Sequence, residues 1–82
     1  MNRGRSLKAT FSDGSFDYMS GAKAFTHAWR ITGILGTTKA SEINGWARSK
    51  ALAEQAATHH ARSVAKRWKN VKTEIVEVET LP

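Results

Sequence analysis

The stretch WARSKALAEQAATHHARSVAKRW, residues 46–68, decides the fold because its apolar residues recur at helical spacing. Ser49 is the expected N-cap, since its hydroxyl can accept a hydrogen bond from a backbone N–H group of the first turn. The pattern predicts a helix that ends near Lys69–Asn70. One arc of this helix is expected to pack on a sheet. It consists of Leu52, Ala53, Ala56, Ala57, His60, Ala61, Val64 and Trp68.

The opposite arc of the predicted helix is polar and basic. Four of its side chains follow one another at spacings of four, three and four residues, which places them in one row. This basic ridge consists of Gln55, His59, Arg62 and Lys66, and Lys69 lies beyond it. Glu54 is the single acid between Arg48 and Asn70, whereas helix faces that serve only solubility tend to alternate in charge. The ridge is therefore a candidate binding surface, and an ordinary solvated face is the alternative.

Short alternating segments before the helix predict strands. LKATF (7–11) and FDYM (16–19), joined by the turn SDGS, predict a β-hairpin. AFTHAWRIT (24–32) predicts the central strand. One face of it holds Phe25, His27, Trp29 and Ile31, and the other holds Thr26, Ala28 and Arg30.

The remaining strands are less regular. A loop is expected at 33–37 and an irregular strand at about 38–46, ended by the turn signal Asn44-Gly45. After the helix, VKTEIVEVETL (71–81) predicts a last strand. Its adjacent Ile75 and Val76 break the alternation and indicate either a bulge or a strand covered on both faces.

These elements predict an α+β fold, a small antiparallel sheet in the order β-β-β-β-α-β with one long helix packed across it. The chain has 82 residues, enough for one hydrophobic core, so residues 7–81 are expected to form a single domain. Residues 1–6 are expected to be a mobile basic arm. Its Arg3 and Arg5 could become ordered on a phosphate backbone.

The charge of the chain favours an anionic partner. The net charge is +6, but residues 1–70 carry 12 Lys/Arg against 4 Asp/Glu, or +8, and residues 71–82 carry 1 against 3, or −2. A field of this sign attracts nucleic acid or an acidic protein surface. The alternative is that the excess charge only keeps a small domain soluble.

Several classes of function find no support in the residues. Without cysteine there is no thiolate metal site, and the adjacent His59 and His60 would point about 100° apart on a helix, so no metal is expected. No nucleophile elbow, carboxylate pair or phosphate-binding loop occurs, so neither an enzyme nor a cofactor is expected. With no signal peptide and no apolar run of membrane-spanning length, the expected location is the cytoplasm, away from membranes.

Two resemblances add to this interpretation. The runs GAKAFTHAWRI and GWARSKALAEQAA, within residues 21–60, resemble the second strand and C-terminal helix of double-stranded RNA-binding domains. That resemblance implies that Lys50 is the phosphate-binding lysine at the helix N-terminus. Ala51 stands where the family motif has a second lysine. In size and basicity the chain is also similar to small phage-encoded proteins that disable host machinery, such as anti-CRISPR proteins.

The sequence thus predicts a non-enzymatic basic protein that contacts the nucleic acid backbone or a nucleoprotein complex. The expected contact residues are Lys50, Gln55, His59, Arg62, Lys66 and Lys69, with Arg3 and Arg5. The alternative function is a phage-encoded inhibitor whose basic ridge docks on an acidic or nucleic-acid-binding surface of a host protein. Homodimerisation through the edge strand VKTEIVEVETL is a further possibility.

Overall fold

Two small antiparallel sheets and one helix make up the protein in a computed structural model that describes residues 6–20 and 24–81. The α+β class is confirmed, but the single predicted sheet is wrong. Strands β2, β1 and β6 form the hairpin sheet, and β4, β3 and β5 form the central sheet, each in that order. The elements are β1 (Ser6–Thr10), β2 (Phe16–Ser20), β3 (His27–Leu35), β4 (Lys39–Ala47), α1 (Lys50–Val64), β5 (Trp68–Glu77) and β6 (Glu79–Thr80).

The central sheet is covered on both faces, by α1 on one side and by the hairpin sheet on the other. Because side chains alternate along a strand, β3 sends Trp29 and Ile31 to the helix and Ala28 and Arg30 to the hairpin. This confirms the predicted division of the faces for residues 28–31 and the central position of the strand, but the predicted start at Ala24 is wrong, because β3 begins at His27 and Phe25 and Thr26 precede it. The helix-side core contains Trp29, Ile31, Ala47, Ala53, Ala57 and Val64, and the hairpin-side core contains Ala9, Phe11 and Ala28.

The strand after the helix joins the two sheets. Ile75 packs in the helix-side core and Val76 in the hairpin-side core, so the adjacent pair marks a strand covered on both faces. The prediction of one strand over 71–81 is wrong, because β5 already begins at Trp68 and the chain leaves the central sheet at Val78. There the backbone N–H donates to the Thr26 carbonyl at 2.8 Å, and β6 then pairs with β1.

The expected loop at 33–37 is also wrong. β3 continues to Leu35, Gly36 supplies a left-handed turn residue with φ 69°, and β4 then pairs with β3 from Lys39 to Ala47. The Asn44-Gly45 pair does not end the strand. Gly45 lies under the indole of Trp29, where an added Cβ would be 2.6 Å from Cζ2 of that ring. Packing therefore requires the glycine, although its sequence neighbours indicate a turn.

The helix begins as predicted and ends earlier. The Ser49 hydroxyl accepts a hydrogen bond from the Leu52 backbone N–H at 3.1 Å, which confirms the N-cap. The predicted end at Lys69–Asn70 is wrong, since α1 stops at Val64 and Trp68 belongs to β5. The Trp68 ring packs close to Gly33, which it reaches because the chain has left the helix to pair with β3. Leu52 was expected in the core but is 49% exposed.

Candidate nucleic-acid interface

Three of the four residues of the basic ridge lie together on the exposed face of α1. Gln55, His59 and Arg62 line one shallow surface, in which Glu54 and Thr58 also lie. The predicted helical row of the ridge is therefore confirmed from Gln55 to Arg62. Lys66 lies in the turn after α1, so the prediction that it continues a helical row is wrong, because the helix ends before it.

The other predicted contact residues are spread more widely. Lys50 is the exposed first residue of α1, and at about 1.5 Å per residue it lies roughly 18 Å along the axis from Arg62. Lys69 is exposed in β5, opposite Ile34, and is thus on a strand and not on the helix. Arg3 and Arg5, with most of the predicted arm, lie outside the described residues.

Two further basic residues lie near Lys66 and Lys69 in the sequence, and one of them, Lys72, lines a depression with Arg30 on the hairpin side of the central sheet. Arg67 in the turn and Lys72 in β5 are both exposed, and neither was among the predicted contact residues. With Lys66 and Lys69 they form what we call the basic segment, KRWKNVK over residues 66–72. The density of positive charge in this run was the available signal. It was missed because the run was interpreted as the end of a helix.

The described carboxylates that form ion pairs, Asp13 and Glu74, lie on the hairpin side of the central sheet, where they line the same depression as Lys72. In residues 6–20 and 24–81, both ion pairs belong to Arg30, whose Nη2 lies 3.2 Å from Oδ1 of Asp13 and 3.3 Å from Oε1 of Glu74. Asp17 accepts a hydrogen bond from the Asn44 amide. Within the same residues, the cations of the ridge and the basic segment have no carboxylate at ion-pair distance. Their charge is therefore available to an external anion.

Arg30 fastens the hairpin loop to the central sheet. Its side chain is only 8% exposed, its guanidinium lies 4.3 Å from the centre of the Phe11 ring, and Nη1 donates to the Ser15 hydroxyl at 2.5 Å. Glu74 completes the contact by accepting the Ser12 backbone N–H at 2.6 Å. This cluster has a structural role. Sequence reasoning did not find it, because its partners come from β3, β5 and the hairpin loop.

Asp13 is the carboxylate that this cluster perturbs most clearly. Hydrogen bonds from the Ser15 hydroxyl and backbone N–H, and then the bond from Arg30, lower its pKa to about 2. A carboxylate that binds protons so weakly stays ionised at neutral pH and is a poor general base. The perturbed group is therefore better suited to holding the loop than to proton transfer.

The histidines are engaged with neighbouring side chains. His60 stacks on Trp29, with ring centroids 5.0 Å apart and planes 15° from parallel, and His59 meets His60 edge-on at 5.3 Å. Nδ1 of His27 lies 2.8 Å from the Thr26 hydroxyl. In the part of the chain that the structure describes, no three His, Asp or Glu side chains are grouped closely enough to hold a metal ion.

Comparison with known proteins adds no assignment. No protein-family model, curated protein or solved structure matches the chain. The resemblances to double-stranded RNA-binding domains and to phage-encoded inhibitors therefore stay predictions. Among the described residues, no helix has both the length and the apolar character needed to cross a membrane.

Proposed function

We propose that this protein binds nucleic acid through its phosphate backbone, using the exposed cations of α1 and of the basic segment, and that it catalyses no reaction. The observation that carries the proposal is the distribution of ion pairs. Within the described residues, both ion pairs are made by the buried Arg30, while the exposed Lys and Arg side chains have no carboxylate at ion-pair distance. Unpaired surface cations can replace the counterions of a polyanion, and release of those counterions drives binding.

The dimensions of the surface fit a backbone contact. α1 has 15 residues, which makes it about 22 Å long at about 1.5 Å per residue. Lys50 lies at its first residue, Arg62 in its last turn and Lys66 just beyond it. Duplex DNA carries one negative charge per about 1.7 Å of axis, so a surface of this length faces several phosphates at once. The attraction is then shared among many weak contacts.

The test is the salt dependence of binding to a fluorescently labelled mixed-sequence duplex, measured by anisotropy. Backbone contact predicts that log K falls linearly with log salt, with a slope of about −0.9 for each phosphate neutralised. A second duplex of unrelated sequence should give the same affinity and slope, because phosphates carry no sequence information. No detectable binding to either duplex at about 50 mM salt would contradict the proposal.

An acidic protein partner would give a different result. In a protein interface a few central residues carry most of the binding energy, and arginine is favoured among them. Arg62→Ala would then weaken binding to that partner by about 2 kcal/mol or more, while replacement of its neighbours would cost little. Recovering the protein from cells with and without nuclease treatment separates the two cases, since only a nucleic-acid ligand is lost on digestion.

A further inference from the structure

The outer face of the hairpin sheet carries two exposed aromatic rings. Leu7 and Ala9 of β1 turn inward, so Lys8 lies on the outer face with Tyr18 directly opposite it on β2. Phe16, two residues from Tyr18, shares that face. Phe16 is 49% and Tyr18 is 56% exposed, which makes Tyr18 the most exposed large apolar side chain in the part of the chain described. Exposed aromatic rings that lie side by side offer an apolar surface on which a ligand can bind.

The geometry gives the three side chains different roles. Phe16 and Tyr18 meet edge to face, with centroids 5.2 Å apart and planes at 73°. Nζ of Lys8 lies 4.6 Å from the centre of the Phe16 ring and 5.9 Å from that of Tyr18. Glu79 is opposite Lys8 across β1 and β6, but within residues 6–20 and 24–81 the two do not form an ion pair. The Lys8 ammonium lies over the Phe16 ring and, within the described residues, has no carboxylate at ion-pair distance. It can therefore bind an anion.

We propose that this face binds single-stranded nucleic acid, with one unpaired base stacked on Tyr18 and an adjoining phosphate bound by Lys8. Phe16 acts as the positioning residue that supports Tyr18 edge-on and holds the Lys8 ammonium. The inference rests on the proposed function and adds a second contact surface, on the hairpin side of the central sheet, that accepts only unpaired bases, since a duplex keeps its bases stacked and offers no free base face to the ring.

Charge favours this occupant over a second copy of the chain. An aromatic ring combined with a cation fits both parts of a nucleotide, because the base is a flat π-system and the phosphate is anionic. Two copies that met through this face would bring together two chains of net charge +6, although Glu79 lies opposite Lys8 on the face itself. Their mutual repulsion opposes such a dimer.

The experiment compares binding of the full chain to labelled single-stranded dT12 and rU12 with binding to a 12-base-pair mixed-sequence duplex at one salt concentration. Tyr18→Ala should weaken binding to at least one single strand by about 5-fold or more, as expected for loss of one base–aromatic stack, and binding to the duplex by less than about 2-fold. Tyr18→Phe should keep the affinity, because the ring remains. Leu52→Ala is the matched control, since Leu52 is as exposed as Phe16 but lies on the helix.

A second measurement does not depend on a variant that folds. On addition of dT12 to the wild-type protein, the Tyr18 ring protons should shift upfield in the NMR spectrum, because a stacked base shields them. A Tyr18→Ala affinity within about 2-fold of wild type on both single strands, together with unshifted Tyr18 protons, would overturn the inference. Duplex binding that persists in that case would leave the proposed function standing. A dimer that Tyr18→Ala converts to monomer would also overturn the inference, in favour of self-association.

Discussion

The two faces of the central sheet are held to their neighbouring layers by different forces. On the helix side, Trp29 and Ile31 pack against Ala53, Ala57 and Val64, and all five are buried and apolar. On the hairpin side the apolar core is smaller, and one buried arginine links two carboxylates and the hairpin loop. The helix layer thus depends on apolar burial, whereas the hairpin layer also depends on a charge.

This difference has a consequence for stability. Apolar packing is weakened mainly by changes of shape or volume, and it has no direct dependence on pH. A buried ion pair is costly to break by removing one partner, because the other charge loses its compensation. The helix layer should therefore respond most to steric changes, and the hairpin layer to changes of charge.

The largest effect is expected from Gly45→Ala, which tests the shape dependence of the helix side. The new Cβ would lie 2.6 Å from Cζ2 of Trp29, a ring that His60 covers on the helix side. We expect a loss of about 2 to 3 kcal/mol in the free energy of unfolding, measured by urea denaturation, as is typical of an overpacked core. Trp29→Phe in the Gly45→Ala background should recover part of the loss through its smaller ring. An unchanged denaturation midpoint for Gly45→Ala would show that the ring can move aside.

An intermediate effect is expected from Arg30→Met, which removes the charge of the hairpin side and keeps much of the apolar stem. We expect a loss of about 1 to 2 kcal/mol, because Asp13 and Glu74 are partly exposed and water can compensate them. Hydrogen exchange should accelerate at β1 amides more than at β3 amides. Arg48→Met, the same replacement at an exposed arginine, should change neither the free energy of unfolding nor the hydrogen-exchange rates. Equal acceleration in both layers would contradict separate modes of attachment.

The smallest effect concerns acid. The folded-state pKa of Asp13, about 2, lies below its ordinary value of 3.8, so ionised Asp13 favours the folded state. This contribution is complete above about pH 4 and is lost as the pH falls through the range from 3.8 to about 2. Wild-type stability, followed by urea denaturation, should therefore decline more steeply in that window than the stability of Asp13→Asn. If the curves of stability against pH were parallel for the two proteins, ionised Asp13 would contribute nothing to the stability of the folded state.

The parts of the fold that were predictable depend on local patterns. Helical spacing placed Ala53 and Ala57 in the core and Gln55, His59 and Arg62 on the exposed face, and the hydroxyl of Ser49 identified the helix start. The helix end was not predictable, because it depends on Trp68 packing near Gly33, 35 residues earlier in the chain. The division into two sheets depends on a similarly distant contact, between Val78 and Thr26.

The same reasoning separates the candidate site from the structural cluster. Arg62 was identified because its row follows from the helix period alone, while Lys66 and Lys69 were assigned to a helix that ends before them. The role of Arg30 could not be foreseen, since Asp13 and Glu74 meet it only when the hairpin lies on the central sheet. The fold is also needed to identify the carboxylates that form ion pairs within the protein, and the proposed function is argued from those ion pairs.

The most direct test of the proposed function is the slope of log K against log salt for duplex binding by Arg62→Ala and Lys66→Ala. If these cations contact phosphates, each substitution should reduce the magnitude of the slope by about one and weaken binding to unrelated sequences alike. Thr58→Ala, an uncharged change on the same helix face, should leave the slope unchanged. Wild-type slopes and affinities in both charge variants would contradict the claim that the exposed cations of α1 and the basic segment bind the nucleic acid backbone.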